Sequence, residues 1–209
     1  GLAASVTQRL RVHGIEAFGC YGLTECSPCV SVNRDGWHKD GSCGVALRCN
    51  EVRVGESGEV LVRGANVMAG YLGRPELTAA RVDRDGWLHT GDVGHIDKDG
   101  FLFVDGRLDD VIVLADGTMV APEVLERALG AHPAIAQALV YGMPDKRSGQ
   151  IVLACKLVLR DGTDDAAERA AIDFARSLQT SDGARIEHVE VSCEPLPLSP
   201  AGKLLRRQA

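Results

Sequence analysis

The residues able to do chemistry sit at a few glycine-flanked positions. Tyr21-Gly22-Leu23-Thr24-Glu25 brings together a flat aromatic face, a hydroxyl donor and a hard carboxylate. Thr24 can donate to a phosphate oxygen, and Glu25 suits Mg²⁺, which takes oxygen ligands. Asp92 follows Thr90-Gly91, so an acceptor-only carboxylate lies on a turn that a ligand can approach closely. Arg107, within Gly106-Arg107-Leu108-Asp109-Asp110, supplies a planar donor fork that matches phosphate oxygens. Lys203, after Gly202, is a cation on a proline-rich tail. Each has a plainer use when taken alone. Tyr21 could be a core side chain, Thr24-Glu25 a helix cap, Asp92 a turn stabiliser, Asp109-Asp110 a solvated loop and Lys203 a surface charge.

The elements that must position these groups follow from periodicity and turn residues. A helix is expected over 4–13, ended by Gly14, and then a buried strand over 15–21 that delivers Tyr21 to Glu25 at its carboxyl end, where ligands sit in open α/β sheets. Short strands follow at 45–47, 51–54, 58–63, 87–89, 93–96 and 101–105, with Asp99-Gly100 as a hairpin signal. A helix over 75–82 interrupts them, with Pro75 at its first position. The pattern breaks at 106–110, which reads as a hinge between two unequal domains. Beyond it a hairpin turns at Asp116-Gly117, a helix covers 122–129, strands cover 135–142 and 150–159, an amphipathic helix covers 164–179, and a strand covers 186–193. Pro195, Pro197 and Pro200 should keep the tail extended and exposed. The expected fold is α+β (mixed α/β): residues 1–105 form a β-rich domain portion and residues 111–209 a small second domain, which the resemblance described below implies is the mobile partner of a large domain.

Composition narrows the function. A chain of 209 residues with 45% hydrophobic content can build its cores without staples, and a net charge of −6 argues against a nucleic-acid or anionic-membrane surface. No apolar run is long enough to span a membrane and no signal peptide is evident, so the cytoplasm is the default expectation. The seven cysteines include Cys26 and Cys29 as a C-x-x-C pair, with His38, Cys43 and Cys49 following. Zinc would want tighter second-pair spacing, and Pro28 stiffens the first pair, so buried free thiols are the main expectation.

Tyr21-Gly22-Leu23-Thr24-Glu25, Gly58-Glu59-Val60 leading to Arg63-Gly64, Gly70-Tyr71-Leu72, Gly86-Trp87-Leu88-His89-Thr90-Gly91-Asp92, Gly106-Arg107-Leu108-Asp109-Asp110 and Gly202-Lys203 occur in a definite order. That ordered set resembles the adenylate-forming enzymes: acyl-CoA synthetases, peptide-synthetase adenylation domains and firefly luciferase. The resemblance covers essentially the whole chain. It implies activation of a small-molecule carboxylic acid with ATP and Mg²⁺ to an acyl-adenylate, then transfer to coenzyme A or a carrier-protein phosphopantetheine thiol. It further implies that Tyr21 and Gly22 contact adenine, Thr24 the phosphates and Glu25 the Mg²⁺. Asp92 would hold both ribose hydroxyls, Arg107 the nucleotide, and Gly117 a loop beside the thiol tunnel. Asp109 matches the hinge residue and Lys203 the catalytic lysine of adenylation.

Two departures stand out. Ala115-Asp116 replaces a frequent Ser-Gly or Gly-Gly before Gly117, which weakens the tunnel assignment. The family's glycine- and hydroxyl-rich phosphate loop would lie upstream of Tyr21, and this sequence has no such stretch. The chain is therefore expected to be a C-terminal piece or subunit, inactive without an N-terminal half. A carrier-protein-loading domain and a non-catalytic nucleotide-binding scaffold are the competing readings. Arg206 and Arg207 could meet phosphate or pantetheine, although a terminal arginine pair is more often solvated.

Overall fold

The computed structural model describes residues 4–200 and 204–206, and the chain divides into two compact units, Gly1–Asp109 and Asp110–Ala209. Both mix helices with antiparallel strands, as the α+β expectation requires.

In the first unit, helix α1 (Ala4–Val12) ends where Gly14 turns the chain at φ 73°. Strand β1 (Cys20–Tyr21), β2 (Ser31–Val32) and β3 (Val45–Ala46) form a small antiparallel sheet. The strand expected over 15–21 is thereby corrected: only its last two residues are paired, and Ile15 is 52% exposed. Among the described residues β1 hydrogen-bonds only to β2, so the preceding segment has no ladder to join, and Tyr21 leaves an antiparallel edge rather than the end of a buried parallel strand.

A four-stranded antiparallel meander follows, of β4 (Asn50–Val54), β5 (Glu59–Gly64), β6 (Leu88–Ile96) and β7 (Leu102–Arg107), with α2 (Pro75–Arg81) between β5 and β6. The two strands expected at 87–89 and 93–96 are one. Gly91 takes φ 70°, and a register shift at Val93/Gly94 lets β6 pair with β5 along one stretch and β7 along the next without breaking. Val60, Val62, Leu88 and Leu102 point inward from these strands and pack with Cys26 and Val30 into one core.

In the second unit, a hairpin of β8 (Ile112–Val113) and β9 (Met119–Val120) precedes α3 (Pro122–Leu129). Strands β10 (Ile135–Pro144) and β11 (Ile151–Leu159) pair antiparallel, and α4 (Asp165–Ser177) carries the chain across to β12 (Ile186–Ser192), parallel to β11. Asp164 caps α4 by accepting from the Ala167 N–H at 2.7 Å. Leu125 and Leu129 of α3, Ala171 and Ala175 of α4, and Ile135, Leu153 and Leu157 of the sheet close the core.

The tail is only in part the exposed extension expected: Pro195, Leu198 and Pro200 are exposed, but the tail also docks. Leu196 is 5% exposed, its N–H donates to Gln137 Oε1 at 2.7 Å, and Leu198 bridges to Leu204. Prolines bar a regular ladder yet leave isolated donors free to bond, and an apolar side chain between them still gains by burial. No helix among the described residues is long and apolar enough to cross a membrane.

Candidate functional site

Residues from distant parts of the first unit meet around Asp92. The Tyr21 hydroxyl donates to Asp92 Oδ2 at 2.6 Å, and Arg107 Nη1 donates to Oδ1 at 2.6 Å. Arg107 also reaches the Thr90 carbonyl at 3.4 Å. Both carboxylate oxygens are thus engaged, each retaining a lone pair for a further donor. Burial, then the bond to Asp92, pushes the Tyr21 phenol well above its ordinary range, so it stays a donor. The Tyr21 hydroxyl is thereby anchored on the carboxylate, and the Arg107 side chain remains 44% exposed.

Thr24 and Glu25 lie in a single 3₁₀ turn, not at a helix cap: Leu23 precedes it with no capping side chain. The turn is held from outside. Met68 N–H donates to the Glu25 carbonyl at 2.8 Å, while Asn66 Nδ2 donates to the carbonyls of Cys26 (2.8 Å) and Cys29 (3.1 Å). Ser27 is carried into the left-handed region at φ 53° to complete the loop. Gly22 has a packing reason of its own, because a Cβ there would stand 1.6 Å from the Pro28 carbonyl oxygen. Thr24 is exposed, and the Glu25 carboxylate accepts from the Tyr71 hydroxyl at 2.8 Å. Its own backbone N–H, then Tyr71, hold Glu25 below the usual carboxylate range.

No group of three or more His, Cys, Asp or Glu among the described residues could hold a metal. Glu25 alone still fits Mg²⁺, which is usually bound by one or two carboxylates together with substrate phosphates. The zinc alternative finds no cluster among the described residues. None of the seven cysteines is in a disulfide; Cys26, Cys43 and Cys155 are buried, Cys29 is half-buried, and Cys20, Cys49 and Cys193 are exposed, so burial accounts for only some of them. Burial pushes the Cys26 thiol up to about 11.

Beside Asp92 opens a cleft of about 500 Å³, lined among others by Glu59, Tyr71, Arg81, His89, Arg107 and Asp109. Four of these went unassigned at the level of sequence. Glu59 is buried; its Oε1 accepts from the Gly91 N–H at 2.8 Å and its Oε2 pairs with His89 Nδ1 at 2.9 Å, fixing the backbone that presents Asp92. Arg81 Nη1 donates to the His89 carbonyl at 3.1 Å. Tyr71 orients Glu25. The available signal for Glu59 was an acidic residue opening an otherwise apolar strand, since a buried carboxylate must find donors. Nothing local marks Arg81.

Gly117 belongs to the second unit, on a turn at φ 86° closed by Gly117 N–H to the Leu114 carbonyl at 3.0 Å. Lys203 lies outside the described residues. Arg206 is not solvated: only 16% of its side chain is exposed, and it forms a bidentate pair with Glu126 at 2.7 and 2.8 Å, while Arg207 lies outside the described residues.

Comparison with known proteins gives two family-model matches, to the AMP-binding enzymes over residues 1–72 and to the AMP-binding enzyme C-terminal domain over residues 124–203. The chain is 36% identical over 203 residues to 4-coumarate:CoA ligase 1 of Petunia hybrida, covering 90% of this chain and 36% of that protein. It is equally identical to 4-coumarate–CoA ligase 1 of Glycine max, there covering 68% of the relative. Among solved structures, the anthranilate CoA ligase AuaEII in complex with anthranoyl-AMP superposes with a TM-score of 0.82 at 26% identity, over 99% of this chain and 42% of that one. The O-succinylbenzoate coenzyme A synthetase of Bacillus subtilis, with ATP and magnesium, gives 0.81 at 30% identity, over 99% and 44%. The chain thus spans little more than a third of the Petunia relative's length.

Proposed function

Because this chain belongs to the adenylate-forming, AMP-binding enzymes, we propose that it is the C-terminal part of an AMP-forming acid–thiol ligase. The observation that carries the reading is the Tyr21–Asp92–Arg107 cluster beside the Thr24-Glu25 turn. An aromatic face, an acceptor for two hydroxyls, a donor fork and a hard oxygen are the parts that adenine, ribose, phosphate and Mg²⁺ respectively require.

In this reading Tyr21, with Gly22 beside it, stacks on the adenine and Asp92 accepts from the ribose hydroxyls. Arg107 is steered by Asp92 toward the phosphate side, and Thr24 donates to a phosphate oxygen. Glu25, with the nucleotide, would hold Mg²⁺, which would neutralise phosphate charge. The acid's carboxylate oxygen attacks the α-phosphorus and pyrophosphate departs. Lys203 stabilises the negative charge that develops and aligns two anions that would otherwise repel. A thiol then attacks the adenylate carbonyl and AMP leaves. The second unit swings about Asp109 between the two steps, withdrawing Lys203 and bringing the Gly117 turn toward the thiol. Coenzyme A is the favoured acceptor, since the relatives are named as CoA ligases, and a carrier-protein thiol is the alternative. Pyrophosphate chemistry needs the phosphate loop of an N-terminal segment, so the 209-residue chain alone should be inactive.

Lys203→Ala tests this in a full-length enzyme carrying the chain as its C-terminal part. Adenylate formation should fall at least ~100-fold, the scale of losing one transition-state donor. Conversion of supplied acyl-adenylate to thioester should persist. Loss of both half-reactions together would make the lysine structural, and loss of neither would place the catalytic cation elsewhere.

A further inference from the structure

The second unit contains a charge cluster that the reading above does not use. Arg206 donates through Nη1 and Nη2 to Glu126 at 2.8 and 2.7 Å, lies 3.3 Å from Glu123 Oε1, and places Nε 3.4 Å from Asp110 Oδ2. Its Nη1 also reaches the Val140 carbonyl at 3.4 Å, while Glu126 Oε1 accepts from the Val140 N–H at 2.7 Å. One guanidinium therefore joins the last described residue of the tail to α3, to β10 and to Asp110, the residue directly after Asp109. Surface arginines seldom hold so many partners, because fixing the long side chain costs rotamer entropy.

The same tail is fastened upstream. Leu196 is buried and its N–H bonds Gln137 of β10, Leu205 N–H donates to the Pro197 carbonyl at 2.9 Å, and Leu198 bridges Leu204. Lys203 falls in the sequence between the two halves of that bridge, and Arg206 is the clamp on its far side.

We propose that Arg206 is a positioning residue for Lys203, locking the lysine-bearing tail to the hinge-proximal start of the second unit so that tail and hinge move as one body. This rests on the adenylation role given to Lys203. The physical reasoning is that a lysine delivered by a rotating unit is useful only if its tail does not lag. A misplacement of about 1 Å at the reacting centre can cost on the order of 100-fold in rate. The fork is essential to the arrangement. A lysine in its place would keep the charge but could not span Asp110, Glu123 and Glu126 together. With no cation there, these carboxylates would face one another without compensation.

The test compares Arg206→Lys, Arg206→Gln and Lys203→Ala. In the 209-residue chain, hydrogen exchange of the Leu205 amide should quicken by about tenfold in Arg206→Lys, while the melting temperature changes little. In the full-length enzyme, single-turnover adenylation should fall by roughly tenfold or more in both Arg206 variants, with thioester formation from supplied adenylate changed less than about twofold. An unaltered adenylation rate in both variants would overturn the proposal. So would a parallel loss in both half-reactions, which would mark a purely structural arginine. A slow Lys203→Ala beside an unimpaired Arg206→Gln removes the role of Arg206 alone. A wild-type adenylation rate in Lys203→Ala removes the lysine reading and this proposal with it.

Discussion

Asp92→Asn separates a ribose-binding carboxylate from one that merely steadies a turn. The substitution keeps the shape but exchanges one acceptor oxygen for an NH₂ that cannot accept. Within the protein, the Tyr21 and Arg107 bonds, both 2.6 Å, lose charge assistance or reverse polarity. Hydrogen bonds to charged groups are worth about 1.5–3 kcal/mol against about 1 for neutral ones, and Arg107 is substantially exposed, so stability should drop by no more than about 2 kcal/mol. For bound AMP, one of two hydroxyl bonds is lost and the other weakens. That is about 2–4 kcal/mol, or roughly 30- to 1,000-fold in Kd. Calorimetric titration of the full-length enzyme with AMP and with 2′-deoxy-AMP makes the cycle specific. Wild type should prefer AMP strongly, and Asp92→Asn should lose most of that preference, a coupling of about 1–2 kcal/mol. Equal weakening toward both nucleotides, with the preference intact, would refute ribose contact by Asp92.

The remaining predictions concern the thiols and a buried acid. Under native conditions Cys20, Cys49 and Cys193 should react rapidly with a chromogenic disulfide reagent, whereas Cys26, Cys43 and Cys155 should react only on unfolding, since Cys155 is pushed up to about 12 by burial; fast labelling of Cys155 would contradict the core. Burial raises Glu123 above its usual 4.5, so the folded state favours its protonated form; its contribution is fully present below that value and is lost as pH rises through the folded pKa. Urea melts of Glu123→Gln against wild type should therefore show the variant gaining relative stability with rising pH, and the opposite trend would show that the pairing with Arg206 outweighs burial.

Legibility followed the range of the interactions. Turns at Asp99-Gly100 and Asp116-Gly117 need only a residue tolerant of positive φ, which local sequence records, and both glycines take it, at 85° and 86°. Helix α4 shows its cap and apolar stripe in the same way. Whether 15–21 is a strand depends on what lies alongside it, so apolar character alone misled there. The tail misled for the opposite reason: prolines forbid a ladder, but Leu196 and Arg206 still dock through side chains and isolated amides. The Asp92 cluster was assembled in sequence only by the ordered motifs, because its Tyr21 partner is 71 positions away. Glu59, Tyr71 and Arg81 were passed over since their work is to hold other residues.

That supporting work falls within one unit. Tyr21, Glu25, Glu59, Tyr71, Arg81, Asp92 and Arg107 all lie before Asp110, and their bonds to one another are complete without the second unit. Preorganised groups lose little entropy on meeting a ligand, so nucleotide recognition on the proposed reading needs no contribution from the second unit. The second unit instead carries Lys203, Gly117 and the Arg206 clamp. On the proposed reading, binding and chemistry belong to different units, and a hinge at Asp109 would let the served step change while the nucleotide stays held. For that division to work, the charged residues at the junction must be held from opposite sides. Asp109 lines the cleft of the first unit, and Asp110 is paired to Arg206 in the second.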